Sequence, residues 1–266
     1  MHVGKYIRLY RILNPDTEKA LIVALDHGGY GMAEGLEDIL GTVKTVVRGG
    51  ADALILQPGI IKRVYKEVAG RVGIIARVTA LSLFNRDRGL IEAHTYSVET
   101  AVSLGADAVI ASLYVGGKYE STSIEAVSSI CDSADRCGIP CVVEVFPSLD
   151  RFKSFDDPEG VLRAVRIAIE LGADMVKAYL PPDPKFMMEV VRASANTPIV
   201  LAGGEATSPI DVLKLAKMAV EAGLSGIAFG RKIFKSKDPE RLVKALREII
   251  HKGAGVEDVT KMFSIV

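Results

Sequence analysis

Eight short runs rich in apolar and β-branched residues punctuate the chain: Leu21–Leu25, Ala53–Gln57, Gly73–Val78, Ala108–Leu113, Pro140–Phe146, Met175–Leu180, Pro198–Ala202 and Gly226–Phe229. Several are apolar almost throughout, as strands covered on both faces should be. Between them the period becomes helical. Leu213, Ala216, Lys217, Val220 and Glu221 mark one stripe interrupted by exposed charges. Val161, Val165, Ile169 and Gly172 mark another, ending at a glycine suited to a helix C-cap. Strand and helix alternating in this way predict an α/β protein, a closed (β/α)8 TIM barrel. An open doubly wound sheet is the rival, but no G-x-G-x-x-G follows an early strand. No proline- or serine-rich linker divides the chain. Residues 1–266 are expected to form a single domain, with a leading helix within 1–20 and a C-terminal extension over 253–266.

Three segments repeat. Gly50-Ala51-Asp52-Ala53-Leu54-Ile55-Leu56 and Gly105-Ala106-Asp107-Ala108-Val109-Ile110-Ala111 are followed by Gly172-Ala173-Asp174-Met175-Val176-Lys177-Ala178. The Gly-Ala-Asp reads as a helix stop and a turn into the next strand, so its aspartates are turn residues without a catalytic role. The third copy differs, because it places an ammonium where its siblings place Ile55 and Ile110. A charge in an apolar strand costs several kcal/mol unless it is paired or neutralised. Desolvation favours the neutral amine, which makes Lys177 a candidate nucleophile.

In a barrel of this kind, the chemistry is built from the C-terminal ends of the strands. Asp26-His27-Gly28-Gly29 follows strand one and Gln57-Pro58-Gly59 closes strand two. Strand three leads to Ser82 and Arg86-Asp87-Arg88, strand four gives Ser112 and Tyr114, and strand five gives Glu144 and Phe146. Strand six gives Lys177 and Tyr179, strand seven Gly203-Gly204, and strand eight Gly230-Arg231. Glycine-rich ends on strands seven and eight let backbone N–H groups approach an anion, and Arg231 adds a fixed charge there; this is the usual barrel phosphate site. Glu144 interrupts an apolar strand and shares a lumen-facing phase with Phe146. It is either an ion-pair partner for Lys177 or a proton shuttle, and the two are compatible. Asp26 is a candidate substrate-hydroxyl ligand or base, and His27 a candidate substrate or phosphate contact.

Lys and Arg number 33, Asp and Glu also 33, so the formal net charge is zero. Neither sign dominates, which argues against a nucleic-acid or membrane-surface partner, and no apolar run reaches the length of a membrane span. Cys131, Cys137 and Cys141 match no zinc spacing and read as buried thiols. An odd cysteine count without a signal peptide predicts a reducing, cytoplasmic setting. His2, His27, His94 and His251 are scattered, so neither a metal nor another cofactor is expected.

Four pieces carry a resemblance: Leu21-Ile22-Val23-Ala24-Leu25-Asp26-His27-Gly28, Gly172 to Lys177, Val200-Leu201-Ala202-Gly203-Gly204 and Gly226-Ile227-Ala228-Phe229-Gly230-Arg231. In this order, spanning nearly the whole chain, they resemble the archaeal-type class I fructose-bisphosphate aldolases within the deoxyribose-phosphate aldolase-like barrels. The resemblance implies that Lys177 forms a Schiff base and Asp26 contacts substrate. It implies that Gly203, Gly204, Gly230 and Arg231 surround a phosphate, and that copies form a homo-oligomer, often a decamer. Where that family ends strand five with a Tyr-Pro-Arg-Gly-like element, this chain has Phe146-Pro147-Ser148-Leu149. The phenol and the arginine are both absent, so Glu144 is the expected acid and base, with Tyr179 and Tyr114 next.

The expected activity is cleavage or formation of a C–C bond in a phosphorylated ketose such as fructose 1,6-bisphosphate. The alternatives are an imine-dependent transaldolase-type transferase resembling 2-amino-3,7-dideoxy-heptulosonate synthase, and a degenerate barrel that binds sugar phosphates without catalysis.

Overall fold

In the computed structural model, which describes residues 2–31, 33–80, 92–205 and 207–265, the strand–helix alternation closes on itself. The barrel strands are β1 (Ala20–Ala24), β2 (Ala53–Leu56), β3 (Gly73–Arg77), β4 (Ala108–Val115), β5 (Cys141–Pro147), β6 (Met175–Ala178), β7 (Ile199–Ala202) and β8 (Gly226–Phe229). Each pairs with the next in parallel, and β8 returns to β1 with Gly226 opposite Ala20. The (β/α)8 barrel expected from the sequence is therefore the fold. One addition escaped the sequence pattern: a two-stranded antiparallel hairpin, Thr79–Ala80 with Ala93–His94, inserted between β3 and β4.

Two apolar layers hold the barrel. Outward-facing strand residues such as Val23, Leu54, Ala76, Val143, Val176 and Leu201 pack under the helices. Inward-facing residues, among them Ile22, Ile55, Ile75, Ile110, Val142 and Met175, fill the lumen, and Ile12 and Leu13 from the leading segment close its N-terminal end. Strand side chains alternate between faces, which is why the two sets interleave residue by residue. Ile55 and Ile110 both belong to the lumen set, so the position that the third repeat gives to Lys177 is an interior one.

Helix starts follow local chemistry. Asp157-Pro158, Asp183-Pro184, Ser208-Pro209 and Asp238-Pro239 each place a side-chain acceptor at the N-cap and proline at the first helical position. Asp183 accepts from the Lys185 N–H at 2.9 Å and Asp238 from that of Arg241 at 3.0 Å. The stripe expected on Pro209–Glu221 needs a correction in its last turn. Its buried residues are Val212, Leu213, Ala216 and Ala219, while Lys217 pairs with Glu221.

The Gly-Ala-Asp repeat does more than turn the chain. Gly50, Gly105 and Gly172 have φ of 89°, 79° and 95°, a left-handed conformation that glycine adopts without a Cβ clash. Each following aspartate then accepts an N–H near the start of the preceding strand: Asp52 from Leu21 at 2.7 Å, Asp107 from Ile74 at 3.0 Å and Asp174 from Cys141 at 2.8 Å. These carboxylates join β1 to β2, β3 to β4 and β5 to β6 at the end of the barrel opposite the polar mouth. Arg11 and Arg247 pair there with Asp107 and Asp52, both at 3.0 Å, beside a hollow of about 970 Å³. No described helix is long and apolar enough to cross a membrane.

Candidate active site

Above the apolar lumen layer, the same alternation presents a layer of charge. Arg77 ends β3 two residues after Ile75, Ser112 lies in β4 after Ile110, Glu144 in β5 after Val142, and Lys177 in β6 after Met175. Register places Ser112 opposite Glu144 and Glu144 opposite Lys177. Asp26 joins them just beyond β1, in a short 3-10 turn over Asp26–Tyr30.

These groups are bonded into one chain. Lys177 Nζ lies 2.7 Å from Glu144 Oε1. The other Glu144 oxygen accepts from Arg77 Nη2. Arg77 also donates from Nε to Asp26 Oδ2 at 2.7 Å and from Nη1 to Ser112 Oγ at 2.9 Å. Exposure of Arg77 is 1%, of Asp26 and Glu144 3% each, and of Lys177 5%, so all four charges are out of bulk water. Two carboxylates face two cations, the balance that a buried ionic cluster requires. Charge-assisted, multidentate contacts of this kind are also the geometrically restrictive ones.

Arg77 was not among the residues singled out from the sequence. Its signal was present: Gly73-Ile74-Ile75-Ala76-Arg77 is an apolar strand with one charge, in the phase of Ile75. The cost of a charge in an apolar strand, which drew attention to Lys177, applies to it equally.

The cluster sets the protonation of its members. Burial pushes the Asp26 carboxyl up, but Arg77, then Lys177 and His27, outweigh it and hold the group at about 2. A carboxyl so acidic is a poor base near neutrality and a good hydrogen-bond acceptor, which favours the ligand role for Asp26 over the base role. Glu144 is also held below its ordinary value: burial opposes this, and Lys177 and Arg77 prevail. His27 goes down from 6.5, first through burial and then through Lys177 and Arg231, against the pull of Asp26, so it is neutral at pH 7. Its ring meets Phe234 edge-on, with centroids 5.2 Å apart.

A cavity of about 640 Å³ opens above the cluster. Asp26, His27, Arg77, Glu144, Lys177, Gly203, Gly204 and Arg231 all reach its wall. Gly203 and Gly204 thus share one cavity with Lys177, and Gly204, with φ of 68°, has open space where a Cβ would stand. Arg231 Nη1 pairs with the exposed carboxylate of Glu205, while its Nε is buried with no hydrogen-bond partner among the described residues.

Gly230 departs from expectation. It is buried behind the wall, and a Cβ on it would fall 2.5 Å from His27 Cε1 and 2.7 Å from the Ala24 carbonyl oxygen. Close approach of the β1 segment is thus a physical reason for glycine at 230 that is independent of any phosphate contact. Ser82 and Arg86-Asp87-Arg88 lie outside the described residues.

The remaining wall is aromatic. Tyr114 stacks on Phe146, with centroids 5.0 Å apart and planes 15° from parallel, and Phe146 meets Phe155 and Tyr179 at 5.4 and 5.6 Å. The Tyr114 hydroxyl donates to Glu92 at 3.1 Å. Burial, followed by the Glu144 charge, pushes the Tyr179 phenol up, so it stays protonated. Cys131 and Cys141 are buried free thiols away from this wall, and Cys137 is a half-buried one. Among the described residues, no three His, Cys, Asp or Glu side chains converge as a metal site.

A closed barrel with a buried amine and carboxylates at its C-terminal mouth is the architecture of an aldolase-type enzyme, and comparison with known proteins agrees. Over residues 20–236 the sequence matches the DeoC/LacD family of aldolases, and the chain belongs to that family. It is 33% identical over 258 residues to the 2-amino-3,7-dideoxy-D-threo-hept-6-ulosonate synthase of Halobacterium salinarum, covering 96% of this chain and 94% of that protein. It is 32% identical over 261 residues to the 3-hydroxy-5-phosphonooxypentane-2,4-dione thiolase of Yersinia enterocolitica, covering 98% and 87%. Among solved structures, an archaeal fructose-1,6-bisphosphate aldolase, with its catalytic Lys covalently bound to the carbinolamine intermediate of the substrate, superposes with a TM-score of 0.82. It is 30% identical, and the match covers 92% of this chain and 98% of that one.

Proposed function

We propose that the protein is a Schiff-base-forming class I aldolase acting on a phosphorylated ketose through Lys177. One observation carries this reading. The Lys177 amine is buried 2.7 Å from a carboxylate, on the wall of a cavity that Gly203, Gly204 and Arg231 also line. A neighbour of the same fold that binds its substrate as a carbinolamine on lysine supports it.

Glu144 takes a proton from the Lys177 ammonium, and the freed amine adds to the substrate carbonyl. Glu144 then protonates the carbinolamine hydroxyl, water leaves, and an iminium remains on Lys177 with Glu144 again a carboxylate. As the adjacent C–C bond breaks, its electron pair moves into the new carbon–carbon double bond of an enamine and the iminium pair returns to nitrogen. Glu144 accepts the proton of the departing hydroxyl, so an aldehyde is released. The same proton then returns to the enamine carbon, and water hydrolyses the resulting iminium. Asp26 accepts a hydrogen bond from a substrate hydroxyl, and the Arg231 side holds the phosphate so that remote binding orients the reacting carbon.

Sodium borohydride added with fructose 1,6-bisphosphate or dihydroxyacetone phosphate is expected to leave one reduced adduct, mapped to Lys177 by peptide mass. An adduct elsewhere, or none with either compound, refutes the assignment. Arg231→Ala is expected to lower kcat/KM for phosphorylated substrates by about 10- to 100-fold, the worth of a charge-assisted hydrogen bond, mostly through KM. Equal losses on unphosphorylated analogues would count against the phosphate contact.

The identity to a heptulosonate synthase favours a second reading, in which the same lysine serves a transferase. Analysis of products formed with different aldehyde acceptors separates the two. A homo-oligomer, as the family resemblance implies, and a cytoplasmic setting, as the cysteine count suggests, belong to this proposal.

A further inference from the structure

We propose that the aldehyde half of the substrate is unphosphorylated and carries an uncharged apolar group, branched alkyl or aryl, which seats on the aromatic wall of the cavity. The proposal rests on the aldolase reading above and narrows it, because it replaces the bisphosphate implied by the family resemblance with a substrate phosphorylated on the ketone half alone.

The cationic side groups of the cavity beyond the central cluster, Arg231 and Lys235, come from the segment after β8, where each pairs with a lining carboxylate, Glu205 and Glu34 respectively. The opposite side is built from the ends of β4, β5 and β6 and the segment after β5, which supply Tyr114, Phe146, Tyr179 and Phe155. These four rings form one continuous surface: besides the contacts of Phe146, Phe155 and Tyr179 lie 6.2 Å apart at 40°. Ser154 and Asp156 complete that side, and among the described lining residues it presents a carboxylate and no cation.

Lys177 lies between the two sides. With the ketone phosphate at Gly203, Gly204 and Arg231, the carbon chain beyond the iminium runs towards the rings. A phosphate arriving there would lose its hydration with no cation among the described lining residues to replace it, and would meet the Asp156 charge. An apolar group meets ring faces and displaces water from them. Phe146 is the centre of this surface: its ring, which carries no hydroxyl, meets those of Tyr114, Phe155 and Tyr179. In synthesis the balance is simple. Glu144 removes a proton from the iminium carbon chain to give the enamine, whose carbon attacks the aldehyde carbon. The carbonyl pair moves to oxygen, which takes the proton back from Glu144.

The test uses the full-length wild-type enzyme with dihydroxyacetone phosphate as donor. The acceptors are glyceraldehyde 3-phosphate, glyceraldehyde, isovaleraldehyde and phenylacetaldehyde, each read as kcat/KM for product formation. Isovaleraldehyde or phenylacetaldehyde is expected to exceed glyceraldehyde 3-phosphate by at least about tenfold, the scale on which apolar pockets discriminate. Phe155→Ala is expected to cut the isovaleraldehyde-to-glyceraldehyde ratio by about tenfold. The wild-type series stands whether or not that variant folds. A preference for glyceraldehyde 3-phosphate, or equal rates with all four, overturns the proposal while a borohydride adduct on Lys177 with the donor alone preserves the aldolase reading. Absence of that adduct overturns both.

Discussion

Arg77→Met is expected to lower the free energy of unfolding by about 3 to 5 kcal/mol, the cost of stripping one partner from a buried ion cluster. Methionine fills much of the same volume, so the loss is electrostatic rather than a cavity. Asp26 and Glu144 would be left with Lys177 as the one remaining cation of the cluster. A pH series distinguishes this cause from general damage. In the wild type the Asp26 carboxyl is at about 2 against an ordinary 3.8, because burial is outweighed by Arg77, Lys177 and His27. A depressed folded value contributes stability that is complete above 3.8 and lost as pH falls through about 2. Arg77 is the largest of the charges opposing burial, so without it burial is expected to outweigh Lys177 and His27, which makes the penalty greatest near neutrality and relieved on acidification. Urea midpoints should therefore differ more between wild type and variant at pH 7 than at pH 5. A gap independent of pH would show that Arg77 matters only for its shape.

The same residue marks what the sequence disclosed and what it withheld. Lys177 was legible because the chain supplies its own control: two sibling strands carry Ile55 and Ile110 at that position, and both occupy the lumen. β3 has no such sibling, since no Gly-Ala-Asp precedes Gly73, and comparison therefore passed over Arg77. The alternation of Ile75 and Arg77 would have sufficed. Its partners are another matter. Asp26 is 51 residues away and Glu144 67, so their bonds exist only through barrel closure and strand register. Period and turn chemistry give the strand order; they do not say which lumen atoms meet.

Glycines were legible as turns but not by cause. Gly204 has open space at its Cβ position and needs glycine for its φ of 68°, while Gly230 is required by the approach of His27 and the Ala24 carbonyl. No local pattern separates these cases. The aspartates of the repeat were correctly read as structural, yet their bonds to neighbouring strands depend on which strand lies alongside. The hairpin of Thr79–Ala80 and Ala93–His94 is too short to imprint a period on the sequence.

Glu144→Gln is expected to reduce kcat by about 10²- to 10⁴-fold, the usual contribution of a positioned acid–base group, with little change in KM. The amide is nearly isosteric and its oxygen can still accept from Arg77, but it cannot take the Lys177 proton or return it to a carbinolamine. Two separate steps should suffer: formation of the iminium, read as the time course of borohydride trapping in a single turnover, and cleavage, read as aldehyde release after the adduct has formed. Glu144→Asp keeps the charge on a shorter arm, so it should restore part of the trapping rate if proton transfer is the missing function. A residue that merely paired with Lys177 would behave differently. Its loss would lower the unfolding midpoint and leave trapping and release in their wild-type ratio, because neither step would need its proton. Unchanged turnover in Glu144→Gln would return the proton shuttle to another group on the same wall, and Tyr179, held as a neutral phenol beside the cluster, is the first to examine.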